Sequence, residues 1–308
     1  MARSDHSSPA NQDAIAGVRL TNPDRVLYPG QGLTKRSLAE YYESVAHLIL
    51  PHIAGRPLTV VRCPRGHENQ CFYQKHVTES LPDSIRGVEI QEKEGVGVYI
   101  VIDSLTELIT LVQFGALEFH PWGSREDRIE SPDRLIFDLD PGPDSPWEYV
   151  IQGAHMLRAQ LSDLGLQSFA KTTGGKGLHI MVPLMRRIGW EELKSFARAI
   201  AESIVAKEPE KYLVSMSKEK RRGKVFVDYL RNSRGATSIA AFSARARSHA
   251  PVATPVGWNE VSVELNPAGH SVENIHRRLE SLKKDPWEGF FTIRQSITKA
   301  MQKKLGVT

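Results

Sequence analysis

The feature that most limits how this chain can fold is a short apolar segment that ends in two aspartates. Leu135 to Asp140 alternates with a period of two, which predicts a β-strand with Ile136, Asp138 and Asp140 on one face. The Pro-Gly-Pro segment at 141–143 ends the strand, because proline cannot donate a hydrogen bond to a neighbouring strand. Two carboxylates are therefore held side by side at the end of an apolar strand.

This pair of carboxylates predicts a metal site. Two like charges repel, and burial raises the pKa of at least one of them unless a cation lies between them. A divalent metal binds oxygen ligands and can carry phosphate oxygens at its open positions, as two-metal phosphoryl transfer requires. The alternative is the end of a surface strand whose acidic residues are solvated.

Composition limits the class of protein. A chain of 308 residues can bury a full core, as one large domain or two smaller ones. Its two cysteines, Cys63 and Cys71, provide no disulfide framework and fit a reducing cytoplasm. No apolar run is long enough to span a membrane, and the N-terminus is polar. The sequence predicts a cytoplasmic protein without a membrane partner.

The positive charge is concentrated in one segment. The net charge is only +4, yet residues 218–259 hold nine Lys or Arg against two acidic residues. Charge gathered in this way favours a polyanionic partner more than general solubility does.

The chain is predicted to contain a flexible tail at residues 1–20 and one domain at 21–308, with no internal repeat. Helical and strand patterns alternate along the domain, which indicates a mixed α/β fold. Specific expectations include a helix that begins after Thr34 and stops at Pro51, a strand over 237–243 and a helix that begins at Asp285-Pro286.

The glycine-rich loop Thr173-Gly-Gly-Lys-Gly-Leu-His179 combines flexible backbone with a lysine and an imidazole. Closely spaced glycines let successive amides point at one anion. The spacing of a Walker loop is absent, so an ordinary hairpin turn explains the loop equally well. His179 can equally be a hydrogen-bonded structural histidine.

Two further segments carry groups suited to the same chemistry. Asp228 lies on a predicted strand and could be a third metal ligand, or it could pair with Lys224 or Arg231. Arg245 and Arg247 can point two guanidinium groups the same way, which suits a triphosphate or a DNA backbone. A solvated strand edge is the alternative for this arginine pair.

Four residues have spacings that invite a zinc interpretation: Cys63, His67, Cys71 and His76. The gaps match none of the common zinc layouts, so a zinc site is not expected. The adjacent Phe72-Tyr73, with Arg62 and Lys75 nearby, suggests a stacking platform beside cations. Core packing of the two aromatic residues is the alternative.

Three motifs in this order resemble a known family. Phe137-Asp-Leu-Asp-Pro-Gly142, Thr173-Gly-Gly-Lys-Gly-Leu-His179 and Val225-Phe-Val-Asp-Tyr229 are similar to the polymerase domain of bacterial ATP-dependent DNA ligase D, in the archaeo-eukaryotic primase superfamily. The resemblance runs from about Leu20 to the C-terminus. It implies a primase-like catalytic core with central antiparallel or mixed sheets flanked by helices.

The resemblance also implies roles for individual residues. The metal ligands would be Asp138, Asp140 and Asp228. The nucleotide pocket would comprise His120, Thr173, Lys176, His179, Arg231, Asn232, Arg245 and Arg247. A downstream 5′-phosphate would be bound by Asn22, Arg25 and Lys35, and the template would lie on Arg62, Phe72 and Tyr73.

The function implied by this resemblance is template-dependent nucleotidyl transfer that fills gaps and extends 3′ ends in non-homologous end joining. It implies ribonucleotides in preference to deoxyribonucleotides, and two divalent ions, with Mn²⁺ preferred and Mg²⁺ as the alternative. The partners would be broken or gapped DNA at the nucleoid and nucleoside triphosphates, with Ku and ligase or phosphoesterase modules as candidate protein partners. Two rival functions are a non-catalytic module that bridges DNA ends and a primase that needs no primer.

Overall fold

The computed structural model describes residues 14–217 and 219–307. The strands are β1 (Ala14–Ile15), β2 (Val18–Arg19), β3 (Val26–Tyr28), β4 (Leu33–Thr34), β5 (Leu58–Arg62), β6 (Phe72–Gln74), β7 (Gly87–Glu92), β8 (Gly95–Ile100), β9 (Ala116–Pro121), β10 (Arg134–Pro141), β11 (Phe169–Thr172), β12 (Leu178–Pro183), β13 (Tyr212–Leu213), β14 (Val225–Asp228) and β15 (Pro255–Val256). The helices are α1 (Lys35–Ser44), α2 (Ala46–Ile53), α3 (Leu105–Gln113), α4 (Trp147–Asp163), α5 (Trp190–Lys207), α6 (Ile275–Ser281) and α7 (Lys299–Lys304).

The central sheet has six strands in the order β13-β14-β10-β12-β11-β15. All neighbours are antiparallel except β13 and β14, so the sheet is mixed. Its middle strand β10 alternates as predicted. Leu135, Phe137 and Leu139 face a core that includes Leu157 of α4 and Phe196 of α5. The opposite face of β10 is therefore left for the two aspartates.

A second sheet has the order β6-β5-β8-β7, with β9 also paired to β5. Its core is shared with α1, α2 and α3 and includes Ile136 from the aspartate face of β10. Capping boxes start two of these helices, with Thr34 and Ser37 at α1, and Ser104 and Glu107 at α3. One apolar core thus joins this sheet to the aspartate face of the central sheet.

The architecture confirms the predicted mixed α/β class, and several elements match closely. The helix Trp190–Lys207 and the strand Leu178–Pro183 have the predicted bounds. The predicted strand at 135–140 lies inside β10. Periodicity and flanking breakers specify such elements locally.

Four predictions about local structure are wrong. The predicted tail is not a tail at 14–20, where β1 and β2 pair and Ile15 and Leu20 are buried; residues 1–13 lie outside the described part. Pro51 lies inside α2, and the break falls at Val45 instead. Residues 237–243 form no strand beyond one isolated bridge, and turns replace the helix expected at 285.

The two cysteines form a disulfide, contrary to the expectation from composition. Cys63 follows β5 and Cys71 precedes β6, and their Cα atoms are 4.4 Å apart. The antiparallel pairing of β5 with β6 brings the two residues together, which their spacing alone does not reveal. Both sulfur atoms are used in this bond. Within the described residues, no helix is both long and apolar enough to cross a membrane.

Candidate active site

The site is built on a row of polar side chains that crosses four strands. Asp228, Asp138, His179 and Lys171 are consecutive cross-strand partners on β14, β10, β12 and β11. Directly opposed residues project from the same face of a sheet, so the register alone brings the four side chains together. All four are buried. Asp140 lies two residues beyond Asp138 on the same face.

The three carboxylates differ in their surroundings. Burial opposes ionisation of Asp138, but His179, Arg231 and Lys171 outweigh it and lower its pKa. Burial raises the pKa of Asp140, and the Asp138 charge adds to this effect. The pKa of Asp228 is also raised, mainly by burial. Two of the three acids therefore lack sufficient positive charge nearby.

Arg231 is the cation closest to this cluster. Its Nη2 atom lies 3.1 Å from Oδ2 of Asp138, and its Nε atom lies 3.1 Å from Oδ2 of Asp228. Arg221 contacts Asp140 at a longer 3.5 Å. Of the alternatives for Asp228, pairing with Arg231 is thus the contact observed, and both arginines that contact the acids belong to the basic segment 218–259.

The donor set suits a hard divalent cation, although the side chains are not arranged around one. Within residues 14–217 and 219–307, no group of three or more His, Cys, Asp or Glu side chains is close enough to hold a metal ion. The reason is visible in the ion pairs, because Arg231 draws Asp138 and Asp228 together while Asp140 contacts Arg221. Three carboxylates on one face, two with raised pKa values, fit a metal once these arginines release them.

Above the row lies a cavity of about 680 Å³. Ten of the predicted residues line it: Tyr73, His120, Asp138, Asp140, Thr173, Lys176, His179, Arg231, Arg245 and Arg247. His120 is on β9 and Tyr73 on β6, so the second sheet provides one wall and the central sheet the other. Four of the charged residues that line this cavity are basic and two are acidic, which suits a polyanion held beside a cation.

The glycine-rich loop closes the hairpin between β11 and β12, as the turn interpretation predicts, and it also lines the cavity. Thr173 accepts from Gly177 N–H at 3.3 Å and donates to Gly177 O at 3.1 Å. A Cβ at Gly177 would collide with the carbonyl oxygen of Leu139. Glycine is therefore required for the loop to pack against the end of β10.

Glu118, which sequence reasoning assigned no role, orients two residues of the cavity. Its Oε2 atom lies 2.8 Å from Nε2 of His120 and accepts from Nε of Arg245 at 3.0 Å. Burial opposes its ionisation, but His120 and Arg245 lower the pKa of Glu118 to about 2. The Glu-Phe-His motif on one strand was the available signal, since residues two apart share a face.

Sequence reasoning also assigned no role to Lys171. It is 1 % exposed, its Nζ has no hydrogen-bond partner among the described residues, and burial lowers its pKa well below the usual range. Only the strand register reveals its place beside His179.

The solvated-edge alternative for Arg245 is wrong, because Arg245 also donates to Thr173 O at 2.5 Å.

Asn232 does not lie in the cavity, contrary to the prediction. It is 1 % exposed, its Oδ1 accepts from Ile136 N–H at 2.8 Å, and its Nδ2 donates to Ile136 O at 2.7 Å. The side chain thus bonds to the backbone of β10. Burial and these backbone bonds leave it no access to a nucleotide.

The aromatic pair is exposed, so the core-packing alternative is wrong. Phe72 is 42 % exposed with the Arg62 guanidinium 5.4 Å from its ring centre, and Tyr73 is 75 % exposed beside His120. Arg62 itself is buried and donates to Phe114 O at 2.8 Å and to Gln74. Both residues therefore offer exposed ring surface, and Tyr73 also lines the cavity.

Asn22, Arg25 and Lys35 lie together but outside the cavity. Lys35 is buried, and its Nζ donates to Thr21 O at 2.7 Å and to both oxygens of Gln113 at 3.2 Å. The backbone amides at 35, 36 and 37, at the start of α1, are also bonded. Lys35, predicted to bind the 5′-phosphate, therefore has its donors occupied, and these three amides are occupied as well. Asn22 and Arg25 are exposed.

The comparisons identify relatives over most of the chain. The model of one family, described as LigD, primase-polymerase domain, matches residues 34–287. The multifunctional non-homologous end joining protein LigD of Pseudomonas aeruginosa is 38% identical over 301 residues, which are 97% of this chain and 36% of that protein. For LigD of Mycolicibacterium smegmatis the identity is 38% over 82% of this chain and 34% of the relative. This chain spans about a third of these relatives.

A solved structure agrees with these matches. The polymerase domain from Mycobacterium tuberculosis ligase D, in complex with DNA, superposes with a TM-score of 0.83 and 35% identity. The superposition covers 89% of this chain and 97% of that domain.

The buried imidazole of His179 makes stability depend on pH. Burial, with Lys171 adding to it, lowers the pKa of His179 from 6.5 to about 4. Between these values the unfolded chain binds a proton that the folded chain does not, so stability falls as the pH falls. The His179 contribution amounts to about 3 kcal/mol over the window. Urea unfolding at pH 7 and pH 4.5 should show a smaller pH dependence for His179→Gln than for wild type. The exposed His47→Gln variant should match wild type, and equal pH dependence in all three proteins would contradict the prediction.

Proposed function

The chain belongs to the LigD primase-polymerase family, and from that membership and the site geometry we propose that it is a DNA-dependent nucleotidyltransferase. It adds nucleotides to a primer 3′ end, preferring ribonucleotides and Mn²⁺, to fill gaps and extend ends in non-homologous end joining. The single observation that supports this most is the cluster of three carboxylates on one face of the central sheet, beneath a basic cavity of about 680 Å³. We also propose that the chain acts as one domain on broken chromosomal DNA at the nucleoid. Its partners in this proposal are Ku and ligase modules.

In the proposed mechanism, Asp138, Asp140 and Asp228 would hold the two divalent ions of this proposal, in place of their contacts with Arg231 and Arg221. When bound there, they would supply the positive charge needed to activate a 3′-hydroxyl and to stabilise the leaving pyrophosphate. Arg231 remains beside the row, where it can neutralise phosphate oxygens. The raised pKa values of Asp140 and Asp228 favour this exchange, because both groups gain from added positive charge.

The other cavity residues bind and orient the triphosphate. Lys176 and Arg247 line the cavity and form no hydrogen bond or ion pair through their charged groups with any described residue, and the Arg245 guanidinium is held in place by Glu118 and Thr173 O. A fixed fork of donors recognises phosphate oxygens at low entropic cost. His120 faces the same space, and burial lowers its pKa despite the neighbouring Glu118. Catalysis in this proposal consists of positioning and electrostatics.

The DNA would lie along the exposed edge next to the cavity. Phe72 and Tyr73 offer ring surface on which template bases can stack. Arg25 and Asn22, exposed before α1, would bind the 5′-phosphate on the far side of a gap. Lys35 would act indirectly here, because it holds the carbonyl oxygen of Thr21 next to Asn22.

Replacing one carboxylate tests the catalytic proposal. Asp138→Ala should lower nucleotide incorporation at a primed gap by at least about a hundredfold, because a ligand for the activating charge is lost. DNA affinity and folding should be retained, since Arg231 keeps its contact with Asp228. The measurement is extension of a labelled primer in Mn²⁺ with ribo- and deoxyribonucleotides in competition, with and without primer.

The exposed Asp163→Ala variant is the matched control and should extend the primer like wild type, preferring ribonucleotides. Near-normal extension by Asp138→Ala would contradict the catalytic role. Extension without primer would indicate a primase. DNA binding without any incorporation by wild type would indicate an end-bridging module.

Arg25→Ala should weaken binding to a gap that carries a 5′-phosphate by about 1.5–3 kcal/mol, because one charge-assisted contact is lost. Binding to the same gap with a 5′-hydroxyl should barely change. Titration of both DNAs by fluorescence anisotropy measures the difference. Arg19→Ala, another exposed arginine near this edge, should bind both DNAs like wild type. If Arg25→Ala loses affinity for both DNAs equally, Arg25 does not read the phosphate.

A further inference from the structure

A second cavity, of about 630 Å³, lies at the opposite end of the central strands. Its walls include Asp133, directly before β10, and Leu184, directly after β12. The proposed catalytic row instead lies near the end of β10 and the start of β12. Asp138 lies five positions after Asp133, which corresponds to about 16 Å along an extended strand. The second cavity is therefore separate from the first.

Five arginines line this second cavity: Arg125, Arg128, Arg186, Arg187 and Arg294. Arg186 pairs with Asp127 at 2.6 Å. Within the described residues, the side chains of the other four have no hydrogen bond and no acid within 4 Å. The only acidic residue in the wall, Asp133, is already paired with Arg56 through two contacts of 2.7 and 2.6 Å. A surplus of positive charge is thus confined to one concave surface.

Several arginines elsewhere in the described residues are neutralised by acids instead. Arg56, Arg86 and Arg278, for example, each bond to a carboxylate with both terminal nitrogens or with two acids. Four unpaired guanidinium groups around one cavity repel one another, and an anion with several oxygens would relieve that repulsion.

An aromatic ring stands at the same cavity. Phe291 is 57 % exposed, yet its ring is held by contacts with His52 and Phe290, whose ring centres lie 4.9 and 5.1 Å away. A fixed, exposed ring is a surface on which a nucleobase can stack. A volume of about 630 Å³ lies within the range of small-ligand sites.

We infer that this cavity is a second binding site for a nucleotide unit, with the arginines on its phosphates and Phe291 on its base. The nucleotide comes either free, as a nucleoside triphosphate, or as part of a DNA strand, and both sources present the same phosphate and base. An acidic peptide would satisfy the arginines but would leave the ring without a planar partner. Phe291 and Arg294 also lie beyond the residues 34–287 that the family model matches.

The test uses the full chain and two double variants with equal charge change. Arg128→Glu with Arg294→Glu alters two exposed arginines of the second cavity, and Arg277→Glu with Lys303→Glu alters two exposed cations elsewhere. Equilibrium dialysis with labelled ATP gives the number of molecules bound per chain, and anisotropy gives the affinity for a 12-nucleotide strand. Gap filling should be unchanged in both variants. A failure of this inference about the second cavity is therefore distinguishable from a failure of the proposed activity.

A fall from two bound ATP molecules to one in the cavity variant alone identifies the free nucleotide as the ligand. A loss of about tenfold or more in strand affinity in that variant alone identifies the DNA strand. Arg128→Gln with Arg294→Gln should show a smaller loss of the same kind. Unchanged binding in the cavity variant, equal losses in the cavity variant and its control, or equal displacement of ATP by a polyglutamate peptide would overturn the inference.

Discussion

The compensation of buried negative charge on the central sheet is the interaction on which the rest of the site depends. Strand register places Asp138 directly opposite Asp228, and two carboxylates so close would not both ionise without added positive charge. Arg231 contacts both, and His179 lies 3.4 Å from Asp138 on the other side. The protein therefore folds with its own cation among acids that suit a metal. A divalent ion bound here would take the place of the Arg231 charge, rather than bring positive charge to acids that had none nearby.

The second sheet completes the cavity because the two sheets share a core. Ile136, next to the acids, packs in the same core as Phe119, whose neighbour His120 faces the cavity. Glu118 also links the two sheets through Arg245, which donates both to Glu118 of β9 and to Thr173 O just beyond β11, and Glu118 contacts His120 on its own strand. One buried carboxylate thus orients two groups that face the proposed triphosphate, while the three aspartates contact Arg231 and Arg221. Glu118 and the three aspartates thus have different roles because they lie at different places in the fold.

The sequence revealed those features whose cause is local. Alternation specified β10 and the face of its aspartates, and the family motifs led to most of the residues that line the cavity. Lys171 and Glu118 escaped because their importance comes from strand register, and the Cys63–Cys71 bond escaped because hairpin pairing creates it. The prediction for Asn232 was wrong for the opposite reason. This polar residue near the motif was assigned to the nucleotide pocket, whereas its amide bonds to the backbone of β10. Propensity cannot tell which of two polar partners a buried side chain will bond.

The central claim is that Asp138, Asp140 and Asp228 form one cation site whose charge Arg231 otherwise provides. The most direct measurement is titration with Mn²⁺ in the absence of DNA and nucleotide, followed by electron paramagnetic resonance of the free ion. Asp228→Asn should bind Mn²⁺ at least about tenfold more weakly than wild type, because one ligand charge is lost. Asp144→Asn, an exposed acid just beyond β10, should bind like wild type. Equal affinity in wild type and Asp228→Asn would contradict the claim.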